Sequence, residues 1–151
     1  MARAVSDLAS HLGYWLRYVS NHVSQAFARK LEDRDVTVAE WALLRELYGV
    51  EALSPSGLAE KLGLSRGAIS KLAERLINKA LVVRHADPSD RRAQSLTLTG
   101  QGRALVPKLA ALADQNDAEF FSHLSAEERA GIERFLRDVV ERRGLKSVPM
   151  D

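Results

Sequence analysis

The chain has 151 residues, 46% hydrophobic and 28% charged, the composition of a soluble globular protein long enough for one domain with a sizeable core. Its longest apolar run, Leu109 to Ala113, falls far short of the ~20 residues that span a membrane, and the amino-terminus lacks a signal-peptide core, so a cytoplasmic protein without membrane contact is expected. The chain has no cysteine, which excludes disulfides, thiolate metal sites and thiol redox sensing.

The first helix is predicted from about Ser6 to Leu31. Val5, Leu8, Leu12, Trp15, Leu16, Val19, Val23 and Phe27 recur at three- and four-residue steps and make one stripe. At ~1.5 Å per residue the helix would be roughly 39 Å long, more than a small core can cover. Thr37-x-x-Glu40 is a capping box and Gly49 a stop, which predicts a helix over Val38 to Tyr48. Ser54 followed by Pro55 opens a short helix that ends near Leu62, and Gly63 suits a sharp turn. Ser65 caps a further helix to about Lys79, with Ile69, Leu72, Leu76 and Ile77 inward.

Two strands are expected next, Leu81 to His85 and Gln94 to Thr99, with Leu81, Val83, Leu96 and Leu98 facing in. Thr99 then caps a helix over Gly100 to Ser122, and Ser125-x-x-Glu128 opens a last one to Arg143, ended by Gly144. The chain therefore divides into a terminal helix (1–36), a central module (37–99) and a helical carboxy-terminal part with a short tail (100–151). The fold class is mainly α with a small β-hairpin. The apolar stripes of the terminal helices exceed what the central module can bury, which predicts a two-fold homodimer.

The central module concentrates the charge. From Lys61 to Arg92 there are eight basic residues and three acidic ones, a balance of +5 in a chain of net +2, which leaves −3 for the rest. A capped helix, a glycine turn, a basic helix and a hairpin with arginines at its tip follow the order of a winged helix-turn-helix, and such a charge footprint suits phosphate. The helix opened by Ser65 offers free amides at its start, with Arg66 and glycine at position 67 (Gly67) in the first turn. Ser70, Lys71 and Arg75 follow along it. Arg66 and Lys71 are candidates for base edges and Arg75 for phosphate. Arg91 at the hairpin tip is a second phosphate candidate. The alternative for each is a solvent-facing charge.

These residues resemble the multiple-antibiotic-resistance regulator (MarR) family of bacterial transcription factors. The resemblance rests on Leu58-Ala-Glu-Lys-Leu-Gly-Leu-Ser-Arg, on Asp87-Pro-Ser-Asp-Arg-Arg and on Leu96-Thr-Leu-Thr-x-x-Gly102. It implies an obligate dimer built from the first and last two helices, a recognition helix in the major groove and a wing in the minor groove. It implies that Arg92 enters the minor groove while Asp90 pairs with an arginine to shape the wing. It also implies double-stranded DNA with a pseudo-palindromic operator as partner, and a repressor released by a small aromatic or anionic ligand.

A second row on the first helix, His11, Tyr14, Tyr18 and His22, bordered by Trp15 and joined by Trp41, is a candidate site for a planar ligand. Its alternative is core and dimer-interface packing. The four histidines are scattered, with no zinc spacing, and there is no Gly-rich phosphate loop or nucleophile elbow. No metal, cofactor or catalytic residue is expected. A winged-helix adaptor that binds protein instead of DNA is the rival reading, and the basic Arg66, Lys71, Arg91 and Arg92 set argues against it.

Overall fold

The computed structural model describes residues 4–87 and 89–146, with the side chains of all but Asp90, Arg91 and Arg92. Among them, the helices are α1 (Leu12–Glu32), α2 (Val38–Tyr48), α3 (Pro55–Leu62), α4 (Arg66–Asn78), α5 (Gly100–Phe121) and α6 (Ala126–Arg143). Strands β1 (Val82–Asp87) and β2 (Asp90–Leu98) form an antiparallel hairpin between α4 and α5. The backbone of Leu53 also bridges Leu96 in both directions, at 3.2 and 2.8 Å, which fastens the α2–α3 connection to the hairpin.

The helix starts follow local chemistry. Thr37 with Glu40 and Ser125 with Glu128 form reciprocal capping boxes. Ser54, Ser65 and Thr99 each accept the amide three residues on. Gly63 and Gly144 close α3 and α6 in the left-handed region, at φ 67° and 60°.

Two expectations need correction. The first helix does not start at Ser6. Leu8–Ser10 is a single 3-10 turn, His11 is extended at φ −98° and ψ 127°, and α1 proper has 21 residues, about 31 Å. The apolar step through Val5 and Leu8 has nothing to pack against within the chain, so periodicity alone does not extend the helix; both side chains are exposed. On β1, Val82 faces inward and Val83 outward, at 1% and 39% exposure. Leu81 is buried too, but it precedes the strand, so counting in twos from it selects the wrong face. Leu96 and Leu98 do pack on the core.

That core lies between α2, α3, α4, the hairpin and the first half of α5. Leu31, Leu43, Leu44, Leu58, Ile69, Leu76, Leu96 and Leu109 have no exposed surface. Each such side chain contributes roughly 1.5–3 kcal/mol of burial. Gly102 lets α5 approach the Leu81 backbone, where an added Cβ would collide with its carbonyl oxygen. Further along, buried Asn116 of α5 donates to the Val23 carbonyl of α1 at 3.1 Å and accepts from Lys30 at 2.9 Å. Lys30 also reaches Glu119 at 2.7 Å, so polar bonds fix the crossing of α1 and α5.

The terminal helices remain bare on one side. In α6 no residue is buried, and Ile132 and Phe135 are each 46% exposed. Leu12, Trp15, Leu16 and Val19 of α1 are likewise open. No helix among the described residues is long and apolar enough to cross a membrane.

Candidate nucleic-acid interface

Helix α4 is amphipathic in the strict sense that its two faces do different things. Ile69, Leu72, Ala73 and Leu76 lock one face into the core. That fixes Ser65, Arg66, Gly67, Ser70, Lys71 and Arg75 on the opposite side, and all six are exposed. Ser65 spends its side chain on the Ala68 amide at 3.1 Å, so its hydroxyl defines the helix start. From Arg66 to Arg75 the face runs about 14 Å along the axis, the scale of the ~12 Å major groove. Arg66, Lys71 and Arg75 have no ion-pair partner among the described residues. A Cβ on Gly67 would meet nothing closer than the Ser65 hydroxyl at 3.9 Å, so the fold itself leaves that position open.

Not all the charge of the module is free. Lys61 lies 3.6 Å from Glu46 and Arg84 2.9 Å from Glu74. The Arg84 contact, reaching from β1, neutralises the one acid on α4. Lys79 is committed as well. Its ammonium meets the buried Glu40 carboxylate at 3.0 and 3.3 Å and the Asp35 carbonyl at 2.5 Å. Burial pushes the Glu40 carboxyl up, but bonds from Lys79 and Thr37 outweigh it and hold the group below its ordinary value. The start of α2, the loop after α1 and the end of α4 thus converge on one ion pair. Sequence reasoning counted Lys79 only in the charge balance of the module and Glu40 as a cap only, because no local signal links positions 39 residues apart.

At the hairpin tip Asp87 accepts from the amide and hydroxyl of Ser89 at 2.9 and 2.8 Å. These bonds lower its carboxyl from the ordinary value and organise the turn, a role that composition did not reveal. The backbone of Asp90, Arg91 and Arg92 belongs to β2, and the roles expected of their side chains lie outside the described residues.

The aromatic candidates fall into two groups. Tyr14, Trp15 and Tyr18 have ring centroids 5.2 to 6.4 Å apart, and Tyr18 stacks on His22 at 5.2 Å. His11 sits in the extended turn before them, and Trp15 donates to the Ala9 carbonyl at 2.8 Å. Trp41 instead packs on Phe27 at 6.2 Å, and Phe27 is twelve residues, about 18 Å, along α1 from Trp15. Within one chain the two groups do not share a cleft. A groove of about 220 Å³ beside Phe27 is lined by Val23, Ser24, Val38, Ala113, Asn116 and Asp117.

Comparison with known proteins agrees with this architecture. A family model described as MarR family matches residues 34–93. A transcriptional regulatory protein for the hcr operon of Thauera aromatica is 30% identical over 124 residues, 82% of this chain and 75% of that protein. The Staphylococcus aureus MepR–DNA complex superposes with a TM-score of 0.81 at 27% identity, covering 87% of this chain and 98% of that one. BpsR of Bordetella bronchiseptica, whose DNA binding is regulated by 6-hydroxynicotinic acid, gives 0.80 at 27% identity, covering 90% and 97%. With its capped basic helix and adjoining hairpin, this chain belongs to the MarR family and is a DNA-binding transcriptional regulator of the winged helix-turn-helix type.

Proposed function

We propose that the chain acts as a homodimeric repressor that reads a pseudo-palindromic operator and is released by a small aromatic or anionic ligand. The exposed, unpaired Arg66–Lys71–Arg75 face of α4 carries this reading. Arg66 and Lys71 read base edges, Ser65, Gly67, Ser70 and Arg75 set the helix against the backbone, and Arg91 and Arg92 hold the wing to phosphate and minor groove, with Asp90 supporting them. The open stripes of α1 and α6 support a two-fold partner, since an isologous interface buries the same patch on both copies.

Ligand control is proposed through His11 just before α1, Tyr14, Trp15 and Tyr18 on α1, and Trp41 on α2. The MepR and BpsR comparisons support DNA and a small heteroaromatic acid as the classes of partner. Half-site spacing is fixed by the duplex at about 10 bp, so a ligand that moves the two α4 helices misaligns one of them. A ~100-fold preference for the misaligned conformer corresponds to about 2.7 kcal/mol.

Selection from random duplexes tests the reading. A palindromic consensus whose enrichment falls in an Arg92→Ala variant is expected. Sequence-indifferent binding, or no binding, would reject it. Aromatic acids should quench Trp15 and Trp41 fluorescence at the concentrations that release the selected DNA. Binding without release would reject ligand control.

A further inference from the structure

Helix α5 runs unbroken from Gly100 to Phe121 with Pro107 inside it. Proline has no amide hydrogen, so the Arg103 carbonyl four residues back loses its helical partner, and the ring crowds that same carbonyl. No residue is less favourable in a helix interior. Arg103, Ala104, Pro107 and Lys108 lie on the exposed side of α5, while Gly102, Val106 and Leu109 are buried on the other. The orphaned carbonyl therefore faces water, and the wedge opens the solvent side, which turns α5 toward the core.

Pro107 also separates two fastened stretches. Before it, Thr99 donates its hydroxyl to the Ala80 carbonyl at 2.7 Å, and Gly102 sits against the Leu81 backbone. The Arg103 guanidinium lies 5.3 Å from the Tyr48 ring centroid and donates to the Tyr48 carbonyl at 3.5 Å. These contacts tie the first turn of α5 to the segment after α4 and to the end of α2. After the proline, Asn116 and Glu119 are tied to α1 through the Val23 carbonyl and Lys30. The module that carries the reading helix is thus fixed on one side of Pro107, and the open stripes of α1 and α6 are reached from the other.

We infer that Pro107 sets a bend in α5, and that this bend selects the spacing of the operator half-sites. Phe121 lies about 21 Å beyond Pro107. A bend of about 20° over that arm displaces its end by about 7 Å, roughly two base pairs at ~3.4 Å each. In a two-fold dimer joined through the far half of α5 and α6, the two reading helices shift relative to each other by the same order. The bend stands on α5 alone, and the spacing role rests on the regulator reading.

Pro107→Ala and Pro107→Lys both restore the amide at an exposed position, and both should raise the melting temperature by several degrees. The chain has no cysteine, so nitroxides at Ser56→Cys and Ala118→Cys, both exposed, report one distance between the module and the far half of α5. Labelled chain is diluted into excess unlabelled chain, so that pulsed electron paramagnetic resonance reads the pair within one copy. Restoring the amide should change that distance by about 3–7 Å in both variants. Duplexes that carry the selected half-sites with base pairs added or removed between them measure the spacing. The optimum should move by about one or two base pairs, with a loss of about ten-fold or more at the parent's spacing. An unchanged distance in both variants would overturn the bend, the ring then riding a curve set by core packing. A changed distance with an unmoved optimum would overturn the spacing role. Failure of the parent to bind any selected duplex, with a changed distance, sinks the regulator reading and the spacing role with it, and leaves the bend standing.

Discussion

Replacing Gly102 by alanine adds one methyl group at the tightest backbone contact of α5. The new Cβ would lie 2.2 Å from the Leu81 carbonyl oxygen, 3.1 Å from its carbon and 3.4 Å from its Cα. An ordinary carbon–oxygen contact is about 3.3 Å, so the two backbones must part by about 1.1 Å. No rotamer can absorb this, since every clashing atom is main chain. The same carbonyl accepts the Thr99 amide at 3.0 Å, and Thr99 caps the helix, so the displacement also loosens the start of α5. Overpacking costs about 1–3 kcal/mol, the lost bond about 1 kcal/mol, and alanine returns about 1 kcal/mol of helix propensity. The net expectation is a loss of about 1–3 kcal/mol, or a melting temperature lower by about 3–10 °C at equal protein concentration. Gly100→Ala is the matched control, two residues earlier in the same helix, with nothing within 4 Å of its added Cβ. Urea and thermal unfolding of both variants provide the assay. Equal stability of the two would refute the close-approach argument.

Other outcomes follow from the same geometry. Arg66→Ala and Lys71→Ala should each weaken operator binding by about 1–3 kcal/mol and relax one base position per half-site, while Arg75→Ala weakens all sequences alike and flattens the salt dependence, as read by anisotropy at several salt concentrations. Glu40→Gln should change how stability depends on acid. Because the folded carboxyl lies below its ordinary value of 4.5, its stabilising effect is complete above that pH and is lost as pH falls through the lowered value. The variant's stability should therefore fall less steeply below pH 4.5 than the parent's, and parallel curves would contradict the assignment. Leu136→Glu, on the open face of α6, should convert a particle of about twice the 16.7 kDa chain into monomer or unfolded chain in sedimentation; an unchanged dimer would place the interface elsewhere.

Much of the fold is legible in the sequence because helix ends are written locally. Thr37 with Glu40, Ser125 with Glu128, and Ser65 and Thr99 announce starts through one side chain and an amide three residues away. The outward face of α4 is equally readable, since its apolar step leaves Arg66, Lys71 and Arg75 only one direction. What fails depends on distant partners. The break at His11 carries neither glycine nor proline, and the Leu8 stripe that precedes it finds no support inside the chain. The facing of Val82 and Val83 is set by pairing with Leu98 and Thr97 across the hairpin, not by alternation along β1. The separation of Trp15 from Trp41 is set by how α2 crosses α1. The partners of Lys61, Lys79 and Arg84 make the surface less basic than a count of charges states.

The pairing of Glu40 with Lys79 also limits how the family member can drift or be redesigned. Removing Lys79 strands the buried Glu40 charge, and breaking a buried pair commonly costs about 3–5 kcal/mol against the roughly 5–15 kcal/mol of an ordinary domain. Exchanging both for apolar residues of similar volume is often neutral or better. The two positions therefore sit across a valley: the apolar endpoint is accessible, but single apolar steps toward it pass through a less stable chain. A library that varies positions 40 and 79 together should recover folded members that stepwise change reaches with difficulty, and in those members packing would take over from the ion pair at the end of the reading helix.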